Sequence, residues 1–506
     1  MLAKVNSFSL CGLEGFPVTV ETDINNGLPS LDIVGLPDAS VKESKERVRS
    51  AVKNSGMIFP TNKITVNLAP GDIKKEGSYF DLAIALGIIK ASHSVTTQIG
   101  DDTVFLGELS LNGELRAVTG MLPLLISAKD AGYKKAVIPF GNAEEASYLS
   151  GIDVYALKNL KEVVLFLDNP SATEKIHIKD YGVIGKYTEY SSDLKFVKGQ
   201  FTAKRALEVA VSGGHNILMV GPPGTGKTML AKCIPSIMPD MSFDEALETT
   251  KIHSVAGILK ADEGIVYKRP FMTPHHTASN VSLIGGGSGV RPGIISLAHN
   301  GVLFLDEMPE YSRAALESLR QPLEDRVITV SRAKASVTYP SSFMLCGSMN
   351  PCPCGNYGSK ELECTCTPSQ IQKYRAKISG PLLDRIDIQV EVDSVKYDDL
   401  LSSEEAECSA EVRKRVNKAR LIQRERFRNE KIKTNSEMGE KQIKEYCALS
   451  RECENILRKS FERLKLSARA RSRIIKVART IADLDFSENI EAKHILEAVS
   501  YRSFEI

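Results

Sequence analysis

The chain has 506 residues, 42% of them hydrophobic and 25% charged, and its 65 Lys and Arg against 63 Asp and Glu leave a net charge of +2. This composition excludes a disordered chain and any partner recognised through strong overall charge, so a nucleic-acid surface must be local. The length exceeds what one hydrophobic core fills, and the patterning divides it into residues 1–168, a linker 169–194, and domains 195–395 and 396–506. The apolar run 82–89 falls far short of the ~20 residues of a membrane helix. Residues 1–16 mix Lys4, Asn6, Ser7, Ser9 and Glu14 among apolar ones, unlike a signal peptide, so a cytoplasmic protein with no membrane partner is expected.

Residues 1–168 alternate strand and helix patterns, with 63–68 and 136–139 as examples of strands and 81–89 and 124–131 as helices, which predicts a mixed α/β domain. The linker follows where the apolar period fades into Ser, Thr, Lys, Asp and Tyr. The apolar strand 216–220 then runs into Gly221, Pro222, Pro223, Gly224, Thr225, Gly226, Lys227 and Thr228, a full P-loop, and an apolar-periodic helix follows. Backbone N–H groups of such a loop close around phosphates, Lys227 reaches the β- and γ-phosphates of ATP, and Thr228 faces Mg²⁺. A second strand, 301–305, ends in Asp306 and Glu307, a pair suited to holding Mg²⁺ and polarising the attacking water. A third, 343–349, ends in Asn350, a neutral amide placed to orient that water. Arg385 follows a short helical turn at 380–383, and it reads either as an arginine finger serving a neighbouring subunit or as a local partner of Asp384 or Asp387.

Residues 327–331 and 335–339 read as a hairpin whose tip carries Arg332 and Lys334. Cys352, Cys354, Cys364 and Cys366 lie in one short loop; four thiolates can close a tetrahedral Zn²⁺ site, with free thiols as the other reading. Beyond residue 399 the pattern turns helical. The basic stretch 413–433 reads as a solvated helical face or, second, as a DNA path. His275 and His276 have no acid or cysteine at ligand spacing and read as packing or hydrogen-bonding residues.

Taken together, Val197-Lys-Gly-Gln200, Gly214-His-Asn216, the P-loop, Pro274-His-His-Thr277, Gly301 to Glu307, Asn350-Pro-Cys-Pro-Cys-Gly355, Gly380 to Asp387 and Ala478-Arg-Thr-Ile-Ala-Asp-Leu484 resemble the YifB/ComM family of Mg-chelatase-like AAA+ ATPases over nearly the whole chain. The resemblance implies a Lon-protease-like (ribosomal S5 domain 2-like) α/β domain, an AAA+ P-loop α/β/α core and a C-terminal helical lid. It also implies an ATP-dependent hexameric DNA helicase that promotes branch migration of single-stranded and branched DNA during natural transformation. Under it, the segment 280–289 is the helix-2 insert, Arg332 and Lys334 face a central pore and grip DNA, and Arg469 is a sensor-2 arginine, with Arg471 and Arg473 close by. In the front domain the same comparison puts Tyr79 at the place of the Lon serine and Leu122 at that of its lysine; Ser78 is adjacent, but no peptidase activity is expected without the base. A Mg-chelatase-like or chaperone-like ATPase acting on a protein partner, and an ATP-dependent protease, are the competing functions.

Overall fold

A computed structural model describes residues 2–92, 100–184, 190–260, 262–287, 290–332, 335–359, 362–394, 406–464 and 467–502. The front domain is built on a seven-stranded sheet in the order Ser30–Val34, Lys63–Ala69, Glu14–Asn25, Leu2–Cys11, Thr103–Phe105, Lys135–Pro139, Asp153–Leu157. The first hairpin and its pairing with Lys63–Ala69 are antiparallel, and the remaining neighbours are parallel. Strand Lys63–Ala69 follows period-two burial, with Ile64, Val66 and Leu68 inward. Helix Asp81–Ala91 is apolar on every side and nearly wholly buried against the first hairpin. Asp81 at its start is fully buried; burial pushes its carboxyl pKa up, and bonds from Arg47 (2.7 Å) and Ser44 oppose that.

The central sheet has five strands, all parallel, in the order Phe271–Met272, Val302–Leu305, Met344–Met349, Ile217–Val220, Ile388–Glu391. It is covered on both faces, so its strands are continuously apolar: Ile217 and Met219 enter one core, Leu218 and Val220 the other. The first of these cores also takes in helices Phe201–Gly213, Lys227–Ile237, Ser409–Arg426 and Ala468–Leu484, so the C-terminal helices pack onto the sheet's own helix layer.

Where it is described, the segment 169–194 is held at two points: Ile176 N–H donates to Val154 O (2.8 Å) and the Tyr181 hydroxyl to Met241 O (3.0 Å), so it lies against the front domain and the core in turn. Helix Ser409–Arg426 departs from the expectation of a simple solvated face. Arg413 pairs with Asp240 (3.2 Å), Arg415 with Glu208 (2.5 Å) and Arg426 with Asp483 (2.5 Å), and Arg420 donates to Val211 O (2.8 Å), so these four guanidinium groups have partners within the chain. Among the described residues no helix is long and apolar enough to cross a membrane.

Candidate nucleotide site

The P-loop leaves the C-terminal end of strand Ile217–Val220, where parallel strands present their loops. Gly224 (φ 79°) and Gly226 (φ 87°) hold left-handed conformations that a side chain would strain, and helix Lys227–Ile237 begins at once. The Lys227 ammonium donates to the carbonyls of Gly221 and Pro222 (both 2.7 Å) and to Asn350 Oδ1 (3.3 Å). Burial lowers its pKa, with Asp306 and Glu307 opposing, and among the described residues no carboxylate pairs with it directly. Thr228 Oγ1 donates to Asp306 Oδ2 (2.9 Å). This cradle fits a nucleotide and Mg²⁺: glycines where the backbone must approach phosphate, a cation without a carboxylate partner, and two hard oxygens side by side. Strand Val302–Leu305 lies beside Met344–Met349, which lies beside Ile217–Val220, so Asp306, Glu307, Asn350 and Lys227 converge at one sheet end.

Two residues that sequence reasoning missed complete the cradle. The Ser348 hydroxyl donates to Asp306 and accepts from Glu307 N–H (3.1 Å), fixing the turn in which Glu307 takes a left-handed φ of 50°. Gln200, itself at φ 55°, donates from Nε2 to Thr225 O (3.2 Å) and Asp393 O (2.6 Å), bracing the loop from behind. Ser348 sits two residues before Asn350 in an apolar strand, and only the strand pairing reveals its target. Ser348→Ala is expected to lower ATP turnover about tenfold, the cost of one buried hydrogen bond to a charged group, with little change in KM. Steady-state phosphate release measures this. A 480 Å³ cavity opens beside Glu307 and Asn350, lined also by Lys373, Tyr374 and Lys377.

Arg385 stands elsewhere. Its carbonyl accepts from Asn216 Nδ2 (2.8 Å), and Asn216 precedes the P-loop strand, so Arg385 lies at the opposite end of the sheet, about 16 Å of strand away. Its guanidinium pairs with Glu324, not with Asp384 or Asp387 as the local alternative expected, because those two carboxylates face the C-terminal helices. Arg469 is exposed and near Asp384 (3.7 Å), and it lines a 270 Å³ cavity together with Arg385, Arg326, Arg473 and Lys476. The structure therefore brings Arg385 and Arg469 together and keeps both away from the P-loop of their own chain.

The expected hairpin forms from strands Val327–Arg332 and Ala335–Pro340. Lys334 and the Arg332 side chain lie outside the described residues. The middle of the hairpin touches the front domain: a Cβ on Gly12 would lie 2.3 Å from Cγ1 of Val337, which pairs with Val330. The insert forms a short helix, Asn280–Ile284, and a two-residue strand pair closed by Arg291–Pro292. The rings of His275 and His276 lie 4.1 Å apart and tilted by 33°, and His275 hydrogen-bonds Thr277 (2.9 Å).

All four sulfurs of the cysteine loop lie within 4.8 Å of one another. Cys352 to Cys354 is 3.3 Å, Cys352 to Cys364 3.7 Å and Cys354 to Cys364 3.6 Å. Thiolates at tetrahedral Zn²⁺ stand about 3.8 Å apart, so the set fits that ion. The backbone of Asn356, and after it the Cys352 thiol, hold the Cys354 pKa down at about 5. The loop reaches the P-loop, since a Cβ on Gly355 would lie 2.6 Å from Pro223 Cδ. In the front domain Tyr79 is buried with its hydroxyl accepting from Leu10 N–H (3.5 Å), Leu122 is 1% exposed, and the Ser78 hydroxyl donates to Glu108. No lysine base stands at the Leu122 place.

Residues 193–400 match the family described as magnesium chelatase, subunit ChlI; residues 20–142 match subunit ChlI of Mg-chelatase, and 406–502 the ChlI C-terminal model. Fold and site together define a Mg-chelatase-like AAA+ P-loop ATPase. The chain is 41% identical over 506 residues to YifB of Escherichia coli strain K12, covering 100% of this chain and 97% of that one. It is 42% identical over 509 residues to competence protein ComM of Haemophilus influenzae, covering 99% and 97%. Lon protease 2 of Bacillus subtilis shares 31% identity over 188 residues, 34% of this chain and 33% of that one. The chain belongs to the YifB/ComM family.

Proposed function

We propose that this protein is an ATP-driven DNA motor, a homohexameric cytoplasmic helicase that promotes branch migration of single-stranded and branched DNA during homologous integration in natural transformation. The observation that carries the reading is the separation of two half-sites on one sheet. Lys227, Thr228, Asp306, Glu307 and Asn350 gather at one end, Arg385 and Arg469 at the other, and a ring unites them between neighbours. The relative named as a competence protein supports the biological setting, and the hairpin Val327–Pro340 supports a pore contact with the phosphate backbone.

In this reading the P-loop amides and Lys227 hold the β- and γ-phosphates of ATP. Thr228 and Asp306 would hold Mg²⁺, which would supply charge neutralisation at those phosphates. Glu307 takes a proton from the attacking water, Asn350 orients it, and the neighbour's Arg385 and Arg469 stabilise charge on the transferred group. Arg332 and Lys334 contact DNA, and the residue split 1–168, 195–395 and 396–506 separates Lon-like domain, motor and lid. The front domain's contact with the middle of the hairpin through Gly12 and Val337 fits it as an organiser of the pore. A labelled branched duplex tests the reading: ATP-dependent strand exchange by the native chain and none by Glu307→Gln is expected, whereas no exchange by either overturns it.

The cysteine loop is proposed to hold structural Zn²⁺. Metal analysis is expected to find about one zinc per chain, lost in Cys352→Ser. Because the loop abuts Pro223, that variant should also bind nucleotide more weakly. A full complement of zinc in Cys352→Ser would contradict the assignment. The matches to magnesium chelatase favour a second reading, an ATPase remodelling a protein partner.

A further inference from the structure

The segment Gly214 to Asn216, just before the P-loop strand, is bound to more of the molecule than a strand entry needs. Asn216 donates to Arg385 O (2.8 Å) and accepts from the N–H of Leu345 (2.8 Å), the second residue of the strand that leads to Asn350. His215 is fully buried, and its two ring nitrogens face different elements. Nδ1 lies 3.3 Å from Asp387 Oδ2, and Nε2 2.8 Å from Thr480 Oγ1 in helix Ala468–Leu484. Thr480 also accepts from Asn435 Nδ2 (3.0 Å), which in turn bonds Asp483 (2.8 Å), the partner of Arg426. The imidazole occupies space that a side chain would need: a Cβ on Gly213 would lie 2.2 Å from His215 Nε2 and 2.5 Å from Thr480 Oγ1.

The C-terminal helices hold the Arg385 segment by other grips as well. Arg502 donates to Ile386 O and Asp387 O, and Arg473 lies 3.8 Å from Asp387 Oδ1. Asp387 is thus ringed by cations, and although burial pushes its carboxyl up, the His215 bond and these charges take its pKa down to about 2. Arg385 itself has one exposed acid, Glu324, as its only ion-pair partner among the described residues. Its backbone is held by Asn216, and its guanidinium, on a side chain 16% exposed, donates to Pro381 O (2.8 Å) and to Glu324, a partner it would exchange for a neighbour's phosphate.

We propose that His215 is a positioning residue that locks the Arg385 segment to the C-terminal helices, so that one subunit's helical domain sets the rate at which its neighbour's nucleotide is hydrolysed. This rests on the reading of Arg385 as acting on the adjacent subunit. Movement of helix Ala468–Leu484 reaches Asp387 through the imidazole, and Asp387 is two residues from Arg385. The strand that starts at Ile217 connects the same point to the chain's own P-loop, so each subunit's two half-sites share this anchor.

The test uses the full chain, ATP, and subunit mixing. His215→Ala is expected to lower kcat for ATP about a hundredfold, the cost of a catalytic group displaced by about 1 Å, with KM within about threefold of native. Thr480→Val, which keeps the shape and removes the helix-side partner, should lower kcat in the same direction and serves if His215→Ala fails to fold. Each variant is then mixed in equal amounts with Lys227→Ala. A defect acting through Arg385 is complemented, because some interfaces pair an intact P-loop with an intact finger. A defect confined to the variant's own P-loop is not, since every P-loop in the mixture is then damaged. Arg385→Ala mixed with Lys227→Ala is the reference. Recovery in the reference and in the His215 or Thr480 mixture supports the proposal. Recovery in the reference alone, or native kcat in both folded variants, overturns it. No recovery in the reference overturns the reading of Arg385 on which it stands.

Discussion

Glu307→Gln is expected to cut ATP turnover by about a hundredfold or more while ATP binding stays near the native level. The carboxylate stands at the end of strand Val302–Leu305, exposed, and its N–H is anchored on Ser348 and Asp306. Removing a positioned general base costs about 10²- to 10⁴-fold in such chemistry. Glutamine keeps the size and the left-handed turn but cannot accept a proton. Phosphate binding is untouched because the P-loop backbone, Lys227, Thr228 and Asp306 are all in place. Fluorescent-nucleotide titration beside phosphate release separates the two properties. Turnover within a few-fold of native would remove Glu307 from the role of base.

Arg385→Ala should be more damaging still, lowering kcat by about a thousandfold, the range observed when an arginine finger is lost. Its position at the far end of the sheet makes a sharper claim than the loss alone. Arg385→Ala and Lys227→Ala subunits, each inactive, should regain activity when mixed. In a ring assembled at random from equal amounts, about a quarter of the interfaces combine an intact P-loop with an intact finger, so about a quarter of the native rate is expected. If the two variants stay inactive together while native subunits mix freely, Arg385 does not act across an interface.

The nucleotide cradle was largely legible because its parts are local: each strand, turn and following residue type sits in one short continuous stretch, as in 216–228 and 301–307. The cysteine loop was legible for the same reason. What the sequence hid was long-range pairing. Ser348 looks like an ordinary small residue until strand Met344–Met349 is laid beside Val302–Leu305. Helix Ser409–Arg426 carries its arginines on a pattern that suits a wet face, and only tertiary packing supplies Glu208, Asp240 and Asp483 as their partners, some two hundred positions away for the first two. Arg385 was weighed against the acids beside it in sequence, yet its partner, Glu324, comes from another helix end. The linker looked polar because its few apolar contacts, such as the Tyr181 ring against Phe243, are too sparse to set a period.

The central claim, an ATPase coupled to DNA, is tested most directly by the steady-state ATPase rate with and without single-stranded or branched DNA, at low and moderate salt, with Glu307→Gln as the blank. The account predicts stimulation by DNA that weakens as salt rises, because pore contacts to phosphate release counterions. A rate indifferent to every DNA at both salts would contradict it.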